Sequence, residues 1–216
     1  MNALRLRLVF LTTAIFVSVC ALSGCLSKPA LNRQTFAFSA PEKMAPANAA
    51  ATRVLGIRKL EIAAPFEGRP FVYRTGDHAY QRDPYAAFLD TPAESLVVTI
   101  REWLRGGSIF ATVTGPGSSL KPDTLAEIEV TRLCGDFHQP QRPIAVLTIR
   151  FRFFDAPKAI PGKVLLEREY ARSIPLTSAT PAALMEGWNQ ALTQILTEVI
   201  SDFRKSESEE PRERAQ

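Results

Sequence analysis

Cysteine and histidine are scarce in this chain, with three of one and two of the other, and they are where chemistry would have to start. Cys134 and His138 stand close enough in sequence to suggest a pair of metal ligands or a thiol with its base. A zinc site takes about four ligands, three of them from protein even when catalytic, and the other histidine, His78, is far away. The pair therefore reads as a thiol at a strand end beside a loop histidine, and no metal ligand is assigned. Asp77-His78 would need a serine nucleophile to act as a hydrolase, and no G-x-S-x-G elbow occurs. Gly115-Pro116-Gly117 lacks the Gly-Lys-Ser/Thr ending and the following helix of a phosphate loop. Trp103 and Trp188 fall on apolar stripes of helical period, which makes them core residues before ligand platforms. With no nucleophile, base and orienting group placed together, the expectation is a protein that is not an enzyme, with no catalytic residue and no cofactor.

Cys25 has a different chemistry, set by what precedes it. Arg5 and Arg7 are followed by an uncharged apolar run from Leu8 to Leu22, the layout of a secretory signal peptide. Leu22, Ser23, Gly24 and Cys25 resemble the lipobox of bacterial lipoprotein signals. That resemblance implies a diacylglycerol on the Cys25 thiol, cleavage of residues 1–24, and acylation of the new amine, typically by palmitate. Three acyl chains exceed the two lipid signals that stable attachment normally takes, at about 0.8 kcal/mol per buried methylene. An uncleaved transmembrane anchor is the alternative, but the run is short of the roughly 20 apolar residues that spanning needs. Leu26 follows the cysteine, with no Asp to suggest inner-membrane retention, so similarity to sorted lipoproteins favours the periplasmic leaflet of the outer membrane.

Loss of Arg5 and Arg7 with the signal lowers Lys+Arg from 26 to 24 against 22 Asp+Glu. The basic residues are scattered singly, and nucleic acid is not an expected partner. Cys20 lies in the signal and Cys25 takes lipid, which leaves Cys134 without a disulfide partner.

The elements that carry these residues follow from patterning. Residues 25–52 are rich in Ala and Pro and read as a lipidated tether of about 25 residues, or at most roughly 90 Å. A short extended piece in it, Thr35 to Phe38, could pair onto a sheet edge. Strands are expected at Arg53–Ala63, Phe71–Arg74, Ile109–Val113, Leu125–Leu133, Ile144–Phe154 and Val164–Ser173. A first helix opens at the capping box Thr91-Pro92-Ala93-Glu94, runs with Leu96, Val97, Ile100, Trp103 and Leu104 on one face, and stops at Gly106-Gly107. A second starts at Thr180-Pro181 and keeps Leu184, Trp188, Leu192, Ile195, Leu196, Val199 and Phe203 on one face. Residues 205–216 are polar and are expected to be disordered. One-sided strands and two amphipathic helices imply an α/β two-layer sandwich, a mostly antiparallel or mixed sheet with both helices on one face.

Three stretches resemble a known family. Pro65-Phe66-Glu67-Gly68-Arg69-Pro70-Phe71-Val72-Tyr73-Arg74 is similar to the "re-F-v-YR" segment of ABC-type transport auxiliary lipoproteins. Asp83-Pro84-Tyr85-Ala86-Ala87-Phe88-Leu89-Asp90-Thr91-Pro92 resembles their "Y-x-x-F-l-x-x-P" stretch, although many members carry Trp-Ala in place of Phe88-Leu89. Arg101-Glu102-Trp103-Leu104 with Phe110-Ala111-Thr112-Val113 matches their helix-to-strand join. The resemblance covers residues 53–204 as the auxiliary domain and implies a fold like the TolB amino-terminal domain. It also implies work beside an ABC permease and ATPase and a conduit protein with mammalian-cell-entry (MCE) domains, as in the paraquat-inducible system. Lipids or other apolar molecules would cross the periplasm there, with this chain docking the conduit at the outer membrane, and the resemblance is compatible with a homo-oligomer around that conduit. The long segment 65–88 is read as a loop whose Phe66, Phe71, Tyr73, Tyr80, Tyr85 and Phe88 contact the partner or close one end of the core. Replacing both Tyr80 and Tyr85 by Ala should separate these readings, since only a core role would lower the melting temperature. The rival reading is a TolB-like envelope lipoprotein that activates or assembles a cell-wall or secretion complex.

Overall fold

Alternating side chains in the long strands divide the sheet into one apolar and one polar face, and that division positions everything else. The computed structural model describes residues 33–39, 51–106, 109–115, 117–156 and 162–213. The signal segment, Cys25 and most of the tether lie outside the described residues. In chain order the elements are β1 (Gln34–Phe36), β2 (Arg53–Ile62), a 3-10 turn (Ala64–Phe66), β3 (Pro70–Arg74), β4 (Tyr80–Phe88), α1 (Pro92–Gly106), β5 (Phe110–Thr114), β6 (Thr124–Asp136), β7 (Ile144–Asp155), β8 (Val164–Pro175) and α2 (Pro181–Glu213).

The sheet is mixed and is built around β6. One edge of β6 takes β7 antiparallel along nearly its whole length, and β8 continues antiparallel beyond β7. The other edge is shared: β2 pairs parallel from Leu55–Thr124 to Ile62–Val130, and β3 pairs parallel through Tyr73–Gly135 and Arg74–Asp136. β5 lies parallel beside β2, while β4 pairs antiparallel to β3 and β1 parallel to β4. The two-layer α/β expectation therefore holds, with the mixed sheet as its form.

Both helices cover the apolar face, α1 over β2 and β5, and α2 over β7 and β8. Leu96, Ile100 and Leu104 of α1 and Leu184, Trp188, Leu192, Ile195, Leu196, Val199 and Phe203 of α2 are buried against Leu55, Ile57, Ile128, Leu147, Ile149, Phe151 and Phe153. Trp188 meets Phe71 edge-on at 4.9 Å and Phe88 face-on at 5.5 Å, and its Nε1 donates to the Cys134 carbonyl at 3.3 Å. Burying an indole costs little when its N–H has an acceptor. The capping box forms as expected: the Glu94 amide donates to Thr91 Oγ1 at 3.3 Å, and the Thr91 amide donates to Glu94 Oε2 at 3.1 Å.

Three expectations need correction. The segment 65–88, read as a loop around the expected strand at Phe71–Arg74, is a turn and a hairpin: β3 is that strand, and β4 is the strand the reading lacked. Asp83-Pro84 hid β4 because Pro has no amide for a ladder; here it sits in a wide bulge between the Val72–Arg82 and Pro70–Ala87 pairs. Next, the folded part begins well before Arg53. The extended piece near Thr35 does pair onto the sheet edge as β1, Phe38 stacks on Phe88 at 5.6 Å, and its amide donates to Ser95 Oγ at 3.2 Å. The tether ahead of the domain is correspondingly shorter than residues 25–52. Lastly, the stretch from Lys205 is helical through Glu213. Its Glu, Lys and Arg are good helix formers, and Glu207 is tied to Arg53 at 2.9 Å.

Candidate functional site

Cys134 lies on β6 with no exposed surface, and burial pushes its thiol up to about 11. A thiol at that value carries almost no thiolate near neutral pH and is a poor nucleophile. His138 is exposed just beyond the strand, its amide donating to Asp136 Oδ1 at 3.1 Å. His78 and Asp77 lie in the exposed β3–β4 turn, and Asp77 pairs with Arg74 at 3.3 Å. Among the described residues no group of three or more His, Cys, Asp or Glu could hold a metal ion.

The polar face of the sheet is laced by ion pairs across three strands. Arg152 of β7 reaches Glu127 of β6 and Glu167 of β8, and Arg150 reaches Glu129 at 2.9 Å and Glu169 at 3.0 Å. A register shift in β2 after Ile57 turns both Arg58 and Lys59 to solvent, where Arg58 joins Glu127 and Lys59 joins Glu61 at 2.6 Å. Opposite charges placed directly across a sheet stabilise the pairing, and these carboxylates are spent on arginines rather than held for a ligand. The Arg152 guanidinium holds Glu167 below its ordinary value.

Beside this lattice the same face changes character. Pro65 and Phe66 of the 3-10 turn fold over Val72, which is 5% exposed, and with Tyr80, Gln81 and Arg82 they line a cavity of about 460 Å³. Register puts these strand residues together: Val72 pairs with Arg82 and Arg74 with Tyr80. Tyr80, 46% exposed, meets Phe66 edge-on at 6.2 Å. Arg82 donates to the Pro65 carbonyl at 3.3 Å, which ties the turn to the hairpin. The result is an aromatic notch with a cation at its rim, suited to an apolar side chain or an aromatic ring from a partner.

The six aromatic residues of the segment divide accordingly. Phe71 and Phe88 are sealed in the core against Trp188 and cannot reach a partner. Tyr73 is half-buried, edge-on to Phe137 at 4.9 Å, with its hydroxyl donating to Asp83 Oδ2 at 2.6 Å; burial and that carboxylate hold the phenol well above its usual value. Phe66 and Tyr80 build the notch. Tyr85, 57% exposed, stands apart on the bulge at the sheet edge. Arg82 and Val72 belong to the notch and were missed, because nothing in the sequence marks which side chains a bulged hairpin turns the same way.

A family model described as an ABC-type transport auxiliary lipoprotein component matches residues 36–200, from β1 into α2. The chain belongs to that family. A crystal structure of the protein XCC0632 from Xanthomonas campestris aligns with a TM-score of 0.68 and 18% identity, covering 83% of this chain and 99% of the other. The crystal structure of an uncharacterized protein aligns at 0.63 and 12% identity, covering 79% and 98%. At such identities the likeness establishes the fold. No curated protein matches the chain. Membership gives an auxiliary transport role and a lipoprotein's place in the cell envelope. Among the described residues no helix is long and apolar enough to cross a membrane.

Proposed function

We propose that this family member is a non-catalytic, lipid-anchored auxiliary of an MCE-associated ABC transport system, with Cys25 as the acylated residue and the Phe66–Tyr80 notch as the contact for the conduit protein. The observation that carries the site is the exposed Tyr80 ring, set edge-on to the buried Phe66 beside Arg82, on a face otherwise laced by its own ion pairs. Permease and ATPase supply energy, and the auxiliary supplies position: the lipid fixes it at the outer membrane, facing the periplasm, and the notch holds the conduit's far end there. The transported molecule belongs to the lipid or apolar class handled by the conduit.

The test is cross-linking of cells expressing a tagged full chain, mild detergent extraction, and identification of what co-purifies. Recovery of an MCE-domain protein with a permease and ATPase supports this reading. Recovery of a peptidoglycan synthase or a secretion complex without ABC components would replace it with the rival role in cell-wall or secretion assembly.

A further inference from the structure

The bulge in β4 is a built feature. Asp83 Oδ1 accepts the amides of Tyr85 at 2.7 Å and Ala86 at 3.0 Å, while Oδ2 accepts the Tyr73 hydroxyl. One half-buried carboxylate thus fixes Pro84 and Tyr85 outward at the rim of the sheet. Arg33 lies against them, its Nε donating to the Pro84 carbonyl at 3.2 Å. At the other end of β1 the Leu89 amide donates to the Phe36 carbonyl at 2.7 Å, and the Leu89 side chain is 54% exposed. Tyr85 and Leu89 therefore bracket β1 along one edge, with Arg33 beside the first and Asp90 following the second.

Chain length decides what this edge can face. If Cys25 carries lipid, the chain from it to Gln34 spans at most about 30 Å when fully extended. The sheet from β1 across to β8 has five inter-strand spacings, about 24 Å in all. Turning the β8 edge to the bilayer would use nearly the whole of that length, whereas turning the β1–β4 edge to it uses almost none. Tyrosine suits such a position, with its ring among the upper acyl segments and its hydroxyl among headgroups, and arginine can lay its stem on apolar surface while its guanidinium stays at the phosphates.

We infer that the β1–β4 edge, through Tyr85, Leu89 and Arg33, rests on the lipid surface that holds the acylated Cys25. This rests on lipidation at Cys25 and leaves the notch, on the open sheet face, free for protein. The experiment places the acylated full chain in vesicles of phosphatidylethanolamine and phosphatidylglycerol, with and without acyl chains brominated near the headgroup. Tyr85→Trp and, at the opposite edge, Val164→Trp are compared with the parent chain, whose own Trp188 is buried and Trp103 partly buried, and quenching is read as the excess over that parent. The expected result is loss of Tyr85→Trp emission in brominated vesicles, with Val164→Trp quenched no more than the parent. Equal quenching of the two variants, or none at position 85 unless a conduit protein is added, overturns the inference. Mass spectrometry of the amino-terminal peptide separates the causes: acylated Cys25 with an unquenched Trp sinks only the surface contact, and an unmodified Cys25 sinks the anchor and the contact with it.

Discussion

Tyr80 and Tyr85 are only a few residues apart on one strand, yet the Asp83 bulge between them sends them to different neighbours. Tyr80 lies on the open face with Phe66, and Tyr85 at the rim with Arg33. The two positions should therefore separate in function. Tyr80→Ala weakens conduit binding by roughly tenfold or more, the scale of a modest interface anchor, and leaves the melting temperature nearly unchanged. Tyr85→Ala leaves conduit binding intact. A pull-down titration with each variant, read beside a thermal melt, checks both, and a large drop in melting temperature for Tyr80→Ala would move that ring into the core. Cys134 gives a second residue-scale expectation. In the processed chain, with Cys20 cleaved away and the Cys25 thiol acylated, the burial of Cys134 and its raised thiol value predict no reaction with a thiol-specific reagent at pH 8 in the native protein and one equivalent after denaturation; rapid native labelling would contradict the packing.

At the scale of elements, the contact between α2 and the sheet is set by a glycine. A Cβ on Gly187 would stand 2.7 Å from the Cβ of Ala145 in β7 and 2.8 Å from a Leu176 methyl, so the helix could not lie as close. Alanine has a helix propensity about 1 kcal/mol better than glycine, but overpacking a core costs about 1–3 kcal/mol, and the second effect wins because one obstacle sits on a strand backbone. Gly187→Ala should therefore lower the midpoint of denaturant unfolding, and a raised midpoint would mean that α2 shifts outward freely. The outer strand β8 shows how the sheet ends. Arg168 and Arg172 point toward the helix layer, where Arg168 meets Asp202 at 2.7 Å and Arg172 meets Glu198. Inward-facing charges on an edge strand discourage a further strand from adding there. Arg168 breaks the apolar alternation of Val164, Leu166 and Tyr170, and its pair with Asp202 closes the rim of the core.

For the whole molecule, titration should erode stability from both ends of the pH scale. Hydrogen bonds from Thr91 lower Glu94, and Arg152 lowers Glu167. A lowered carboxyl contributes fully above its ordinary value of about 4.5 and is lost as pH falls through the folded value. Tyr73 and Tyr170 are raised, first by burial and then by Asp83 and Asp202. A raised phenol contributes fully below its ordinary value near 10, and stability falls as pH climbs above that. The melting temperature is expected to be flat from about pH 5 to 9 and to drop on either side, with Tyr73→Phe softening the alkaline limb. An unchanged alkaline limb in Tyr73→Phe would remove Tyr73 as its source.

What the sequence determined by itself was local. Period and caps placed α1 at Thr91 and α2 at Thr180, alternation placed β6, β7 and β8, and the stripe carrying Trp188 named the core, because such signals depend only on near neighbours along the chain. Leu22 to Cys25 resemble a lipobox on the string alone, and that expectation lies outside the described residues. Tertiary structure alone decided that β2 and β3 share one edge of β6, that Phe71 and Phe88 face inward while Tyr80 and Tyr85 do not, and that β1 draws the domain's start back to Arg33. Each of these depends on which distant strand supplies the partner amides, and on the bulges that reverse a side chain's face. A bulge such as Asp83–Ala86 is stabilised by a carboxylate meeting two amides and a phenol in space, and no periodicity along the chain announces it.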